Sequence, residues 1–349
     1  MSRLAALVAA LLAALVAGCG GDEQADKSSE VVLVTHDSFI VSKPVKAAFE
    51  QETGLRLRIL QTGDAGAALN RALLTKGNPE GDVFFGIDNN LVSRALDEGL
   101  FVAYEPAALE FVPDRYELDL EHRVVPVDHG EVCLNIDKSW FAERRVEPPR
   151  SLDDLTDARY RGLLVVESPA TSTPGLAFLL ATVARYGESG WKGFWQKLRA
   201  NDVLVVDGWE EAYAVQFSGA GGSNGTRPIV VSYASSPSAE VVFAGKSLDE
   251  APTAIIEDSC FRQVELAGVL SGAKNESGAR KLIDFLLSER FQADVPLSMF
   301  VFPVRDGVEL PDAFRTFAVV PERPLELAPG QIGENRDRWV RQWTSVVLR

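Results

Sequence analysis

Residues 31–60 read VVLVTHDSFIVSKPVKAAFEQETGLRLRIL. The opening VVLVTH (31–36) is short, β-branched and almost continuously apolar, as expected of a strand buried on both faces. PVKAAFEQETG (44–54) then places Val45, Ala48 and Phe49 on one helical face and stops at Gly54. LRLRIL (55–60) alternates and reads as a second strand. The pattern repeats downstream. AGAALNRALLTKG (65–77) is helical, DVFFGI (82–87) is an apolar strand, and NNLVSRALDEG (89–99) is a helix ending in Gly. Strands and helices alternating across short loops predict an open α/β sheet.

The second half has the same texture. GLLVVES (162–168) is a strand, and TPGLAFLLATVARYG (173–187) a helix with Pro174 near its first position. DVLVV (202–206) and PIVVSY (228–233) are further strands. SGARKLIDFLLSERFQADV (277–295) reads as one long helix, and NRDRWVRQWTSVVL (335–348) as a helix with Trp339, Trp343, Val346 and Val347 on a core-facing stripe. No interior stretch reads as a long linker. Two lobes would therefore be joined by short ordered crossings, with RVVPVDHGEVCLNID (123–137) and SCFRQVELAG (259–268) as the candidates. Each carries one cysteine, Cys133 and Cys260. Neighbouring crossing strands would bring the two together as a disulfide; two buried free thiols are the alternative.

The amino terminus speaks to location. Arg3 precedes an unbroken run of Leu, Ala and Val from Leu4 to Ala17, too short for a membrane span, and VAGC (16–19) follows. This predicts a signal peptide over 1–18. Cys19 would be lipidated as the new first residue, with a polar tether over 19–30. The chain of 349 residues carries a net charge of −15, which argues against nucleic acid as a partner. The three histidines, at 36, 122 and 129, form no helical pair, and there is no CxxC, so a zinc site has little support. G-x-S-x-G and H-E-x-x-H are also missing. SGAGGSNG (218–225) follows a helix and precedes a strand, the wrong order for a dinucleotide loop, and reads as a flexible surface loop.

Ligands of open α/β sheets bind beyond the carboxyl ends of the strands. The segments found there are His36-Asp37-Ser38-Phe39, Gln61 to Gly66, Asp88-Asn89-Asn90, PATSTPG (169–175), Asp207-Gly208-Trp209 and Tyr233 to Pro237. None contains Lys or Arg. In ATSTPG the hydroxyls of Thr171, Ser172 and Thr173 precede a helix. They can cap it or, with its free N–H groups, hold a phosphate. Asp64, in a second such loop, would repel a phosphate unless it faces elsewhere. Trp209 and Tyr233 offer ring faces suited to a flat, cationic ring, and Asp37 a partner for an amino group.

The segments THDSF (35–39), LNR (69–71), GDVFFGIDNNL (81–91), VPVDHGEVCLNIDKSW (125–140), SPATSTPGLAFLL (168–180), DGWEEAY (207–213), VVSYASSP (230–237), FRQVELAG (261–268) and FQADVPLSMFVFPV (291–304) together resemble the thiamine-binding lipoproteins of ABC importers. The resemblance spans nearly all of the chain after its leader. It implies the type II periplasmic-binding-protein fold, two α/β lobes joined by two crossing strands, with lobe 1 at 31–127 plus 265–349 and lobe 2 at 128–264. It also implies a monomeric, non-catalytic protein without cofactor or metal. That protein would be lipid-anchored outside the cytoplasm and deliver thiamine or its phosphates to the membrane subunits of an ABC permease.

Carried over by position, the resemblance implies that Asp37 and Ser38 line the first lobe and that Asp64 and Ala65 lie near the phosphate end. Ser172, beside Thr173, would touch phosphate, Trp209 and Tyr233 would make aromatic or hydroxyl contacts, and Phe300 would stand where the family has a Trp. His36, Ala65, Phe300 and Ala239 depart from the family residues, which leaves open a related pyrimidine or thiazole ligand. A ferric or polyamine binder of the same fold is a further alternative, although Tyr233 is followed by Ala234 rather than by the second Tyr of an iron pair. A thiamine-degrading enzyme would need a cysteine nucleophile in the cleft.

Overall fold

The computed structural model describes residues 29–245 and 248–349. The signal peptide, Cys19 and nearly all of the tether expected from the sequence lie outside the described residues. In chain order the elements are β1 (Glu30–Thr35), α1 (Lys43–Thr53), β2 (Arg56–Gln61), α2 (Ala65–Leu74), β3 (Val83–Asp88), α3 (Val92–Asp97), β4 (Phe101–Val102), β5 (Val125–Asp137), α4 (Lys138–Arg144), β6 (Leu164–Glu167), α5 (Thr173–Ala200), β7 (Leu204–Val206), a π-helical turn (Glu211–Gln216), β8 (Ile229–Tyr233), α6 (Ser236–Phe243), β9 (Thr253–Leu270), α7 (Glu276–Leu286), α8 (Glu289–Ser298), β10 (Phe302–Pro303), α9 (Asp312–Phe317) and α10 (Pro329–Val347).

One curled sheet runs β2-β1-β3-β9-β5-β8-β6-β7, with β4 added to β9 and β10 to β5. β1 pairs in parallel with β2 and β3 at one end, and β6 with β7 and β8 at the other. The burial of these strands follows their composition. β1 and β3 are covered on both faces and are apolar from Val31 to Val34 and from Val83 to Ile87, whereas edge strand β2 alternates. α1 ends at Gly54, whose φ of 70° is the left-handed conformation that closes a helix without strain.

Between the two parallel halves run the long antiparallel strands β5 and β9, paired from Val125↔Ala267 to Asp137↔Thr253. These are the crossings. Cys133 and Cys260 lie on them, fully buried and joined by a disulfide, with Cα atoms 4.2 Å apart. The β3–β9 contact is fixed by the turn after β3. Buried Asp88 accepts the amides of Asn90 and Leu91, while the Asn89 side chain accepts from Val264 N and donates to the Arg262 carbonyl of β9.

Three expectations change. The single helix expected over 277–295 is two helices, because Ser288 breaks the run and caps α8 by accepting Phe291 N. α5 is longer than expected and bends at Gly187, whose φ of 66° and ψ of 177° no helix accommodates. The division that gives 265–349 wholly to the first lobe does not match the packing of α10. Arg336 of α10 reaches the Asn90 carbonyl in the first half, but Trp343 packs edge-on against Trp195 of α5 at 5.4 Å, and Arg338 pairs with Glu188. Buried aromatic pairs of this geometry add about 1 kcal/mol beyond their area, so this helix ties the two halves together behind the sheet.

Candidate functional site

The carboxyl ends of the parallel strands from both halves face one another across β5 and β9, and a cavity of about 270 Å³ lies between them. The first half contributes His36 and Ser38 after β1, and Asp64 and Ala65 at the start of α2. The second contributes Thr173 at the start of α5, Trp209 after β7 and Tyr233 at the end of β8, and Phe300 follows α8. Eight of the ten residues singled out from the sequence are thus brought together. The other two are displaced. Asp37 lies in an outer groove with Ser38 and accepts Gly63 N at 2.9 Å. Ser172 is buried behind the wall and faces the Asp64 carboxyl without a well-formed hydrogen bond.

His36 fits because residue 86 is glycine. A Cβ there would meet His36 Cδ2 at 2.3 Å, and the φ of 101° suits no other residue. Burial lowers the His36 pKa to about 4, so it is a neutral wall at physiological pH.

The three hydroxyls of residues 171–173 do not cap α5. Thr171 Oγ1 donates to the Asp207 carbonyl, and Thr173 Oγ1 accepts from Gln263 Nε2. The α5 amide is taken instead by Asp64, from the opposite half. Its carboxyl accepts Trp209 N at 3.0 Å and Thr173 N at 3.4 Å, and nearby Ala67 N donates to the Thr171 carbonyl at 3.0 Å. Gly66 permits this approach, since a Cβ would stand 2.6 Å from the Thr171 oxygen. The two halves are therefore latched in a closed arrangement, with a carboxylate at the helix start where the sequence points to a phosphate. Burial raises Asp64 to about 6 despite the amides that stabilise its charge.

Trp209 opens a short helical start that runs into the π-helical turn two residues later. Its indole Nε1 donates to Ser232 Oγ at 2.9 Å, one face stacks on Tyr213 at 5.1 Å, and Tyr233 stands edge-on at 6.3 Å. Tyr213 also lines the cavity and donates to Glu240 at 2.8 Å, so packing and lining are one role. SGAGGSNG is not merely a surface loop: Ala220 and Gly221 line the cavity, and Gly221 N binds Glu240. The sequence reading missed Glu240 and Glu265. Glu265 interrupts the part of β9 from Gln263 to Leu270 that is buried throughout, and a buried acid beside the apolar run LAGVL is a signal that was there to be used. Among the described residues no Lys or Arg lines the cavity, while Asp64, Glu210, Glu240 and Glu265 do.

A model of the bacterial extracellular solute-binding protein family matches residues 78–317. The chain belongs to this family. This solute-binding protein is 32% identical to the thiamine-binding periplasmic protein of Salmonella typhimurium over 327 residues, 91% of this chain and 94% of that protein. A solved periplasmic thiamin binding protein superposes with a TM-score of 0.81 at 31% identity, covering 92% and 96% of the two chains. The ferric binding protein from Campylobacter jejuni shares the fold, with a TM-score of 0.70 over 90% of this chain and 99% of that one, at only 19% identity. The fold is the type II arrangement expected, and the family places the protein outside the cytoplasm. No described helix is long and apolar enough to cross a membrane.

The acids around the cleft give this solute-binding protein an unusual pH dependence. Burial raises Asp88 to about 7, Asp128 to about 8 and Asp64 to about 6. A carboxyl with a raised folded-state pKa binds its proton more tightly when folded, so its contribution falls as pH rises through that value. His36 and His129, lowered to about 4 and about 3, act in the opposite sense, but chiefly below the ordinary histidine pKa of about 6.5, where the unfolded chain takes up their protons. Between pH 8 and 6.5 the carboxyls outweigh them, and the melting temperature of the ligand-free protein should rise on acidification across that window. A melting temperature that is flat or falls from pH 8 to 6.5 rules this out.

Proposed function

We propose that this solute-binding protein captures thiamine or a thiamine phosphate in the cleft and hands it to the membrane subunits of an ABC permease without chemical change. The observation that carries the reading is the cavity itself. It combines aromatic faces from Trp209, Tyr233 and Phe300 with four carboxylates and no cation, which suits a flat ligand bearing a positive ring. The resemblance to thiamine-binding relatives over more than nine-tenths of their length supports the same ligand. Trp209 and Tyr233 present ring and hydroxyl, with Phe300 in place of a larger indole, and His36 and Ser38 form the opposite wall. A phosphate tail runs toward Asp64, Ala65, Ser172 and Thr173, and Asp37 guards the outer groove. Lobe 1 is residues 31–127 with most of 265–349, and lobe 2 is 128–264. A monomer tethered through lipidated Cys19 completes the proposal.

Calorimetry with thiamine, its mono- and diphosphate and the free pyrimidine tests it; no heat with any of them sinks it. The Asp64 contact sets the phosphate preference. A carboxylate at the α5 start opposes a phosphate unless it is protonated or displaced, and removing a like-charge repulsion at hydrogen-bonding range is worth about 1.4 kcal/mol, about tenfold. Asp64→Asn should therefore shift the ratio of monophosphate to thiamine affinity toward the monophosphate by about tenfold. An unchanged ratio would place the tail elsewhere.

A further inference from the structure

Asp128 and Glu265 stand directly opposite each other in the β5–β9 ladder, at the level where the chain crosses between halves. Both are buried. Glu265 forms part of the cavity lining, and Asp128 lies fully enclosed. Among the described residues no donor reaches either Asp128 oxygen. The one hydrogen bond open to two facing carboxyl groups is the one that a proton between them supplies. Two ionised carboxylates packed together away from water, with no cation between them, are not a stable arrangement.

The surroundings add no neutralising charge. His36 Nε2, from the end of β1, lies 3.5 Å from Glu265 Oε1 but is held neutral by burial. His129, next to Asp128 on β5, is also held neutral by burial. Asp88 from β3 and Asp64 from α2 repel Glu265, and the Tyr233 phenol from β8 stays protonated beside it. Strand β10 brings uncharged Pro303 opposite Asp128. Two guanidiniums on neighbouring elements are otherwise engaged, Arg262 with Glu131 and Arg336 with Asp337 and the Asn90 carbonyl. Burial raises both carboxyls well above the ordinary range, repulsion from Asp128 adds to the rise at Glu265, and the two titrate as a pair.

We propose that Glu265, backed by Asp128, is a specificity-determining counter-ion for the positive ring of the ligand, and that ligand entry exchanges the proton held by the pair for that ring. This rests on the thiamine reading, since the thiazolium ring is a permanent cation. On binding, the carboxyl O–H bond breaks, the proton passes to solvent, and the carboxylate left behind faces the ring. The net charge of the site is then unchanged, and the ionised carboxylate attracts the positive ring, an attraction that a neutral ring forgoes. Affinity for the cation rises with pH until the free pair has lost its proton unaided.

The test is calorimetry of thiamine at pH 7.5 in buffers of differing ionisation enthalpy. The intact protein should release up to about one proton per thiamine bound, as expected for a site that is protonated when free and ionised when occupied. Glu265→Gln should abolish the release and weaken thiamine by about tenfold, the equivalent of one unit of pKa coupling. Asp128→Asn, which relieves the pair while leaving Glu265 able to face the ring, should reduce the release while keeping thiamine binding. Thiamine binding whose heat is the same in every buffer overturns the inference and leaves the thiamine reading standing. An intact protein that binds no thiamine at all overturns both. Release that persists unchanged in Asp128→Asn and Glu265→Gln assigns the proton to another group and also overturns it.

Discussion

Replacing Trp209 with Ala should weaken thiamine binding by about 2–3 kcal/mol, on the order of 100-fold in Kd, with Tyr213→Phe changing it by less than about threefold. The contrast follows from how the two rings are arranged. Trp209 stacks on Tyr213 at 5.1 Å with 14° between the planes and is pinned by its Nε1 bond to Ser232, itself bonded to Ser236 at 2.8 Å. Tyr213 is thus the support beneath a ring that is already held in orientation, and a preorganised ring loses little entropy when a ligand stacks on it. Tyr213→Phe keeps the supporting ring and loses only the bond to Glu240, which still receives Gly221 N. Trp209→Ala also keeps the backbone amide that binds Asp64, so the latch survives and the measurement isolates the indole. Calorimetry with thiamine on both variants decides the matter. Equal losses would put the ligand against another wall of the cavity, and Trp209→Phe should recover part of the affinity if stacking is the cause.

Much of this architecture was readable because the buried strands advertise themselves. β1, β3 and β8 are covered on both faces and therefore apolar without alternation, and the loops at their carboxyl ends are where the cavity forms. The strand-end rule brought His36, Asp64, Thr173, Trp209 and Tyr233 into one list before any contact was known. Other features resisted because their cause is tertiary. GIDNN looked like ligand chemistry, yet Asp88 and Asn89 are spent on holding their own turn and strand β9. The three hydroxyls before α5 looked like caps, yet a carboxylate arrives from 109 residues away to take the amide. The single helix expected over 277–295 failed because apolar periodicity continues through Ser288, whose capping bond ends it. Nothing in local sequence says that α10 leaves the first half to lay Trp343 on Trp195.

Two of these misses share a direction. The carboxylate of Asp64 at the start of α5 and the packing of α10 on α5 are contacts between the two halves, and such contacts carry no periodicity in the chain. Asp64 on Trp209 and Thr173, Ala67 on Thr171, and α10 across the back all join the halves, as does the Asp128–Glu265 pair within the crossings. A protein that opens and closes on a ligand keeps its changeable interactions at such places, where two rigid bodies meet, and the fold of each body does not depend on them. The contacts of Asp64 and Ala67 close the mouth and must break on opening. The crossing strands must instead hold their register in both states.

That requirement gives the disulfide its role and the second large effect. Cys133 and Cys260 close a loop of sequence separation 127, at an irregularity in the β5–β9 register between Val132 and Leu134. Regular ladder bonds are interrupted there, so the covalent link stands in for them. The chain-entropy account of a cross-link over such a loop gives about 5 kcal/mol, and measured values commonly fall lower. The double variant Cys133→Ser, Cys260→Ser should therefore lose about 3–5 kcal/mol of stability. Urea unfolding of the oxidised protein, the reduced protein and the double variant measures it, with the last two expected to agree. Thiamine affinity should stay within about threefold, less than 1 kcal/mol, because Val132↔Phe261 and Glu131↔Arg262 still align the strands and no cavity residue is altered. An unchanged urea midpoint would mean that the ladder alone fixes the crossing. A large loss of affinity with stability intact would mean that the bridge sets the angle between the lobes, and the hinge would then have to be placed at Cys133 and Cys260 themselves.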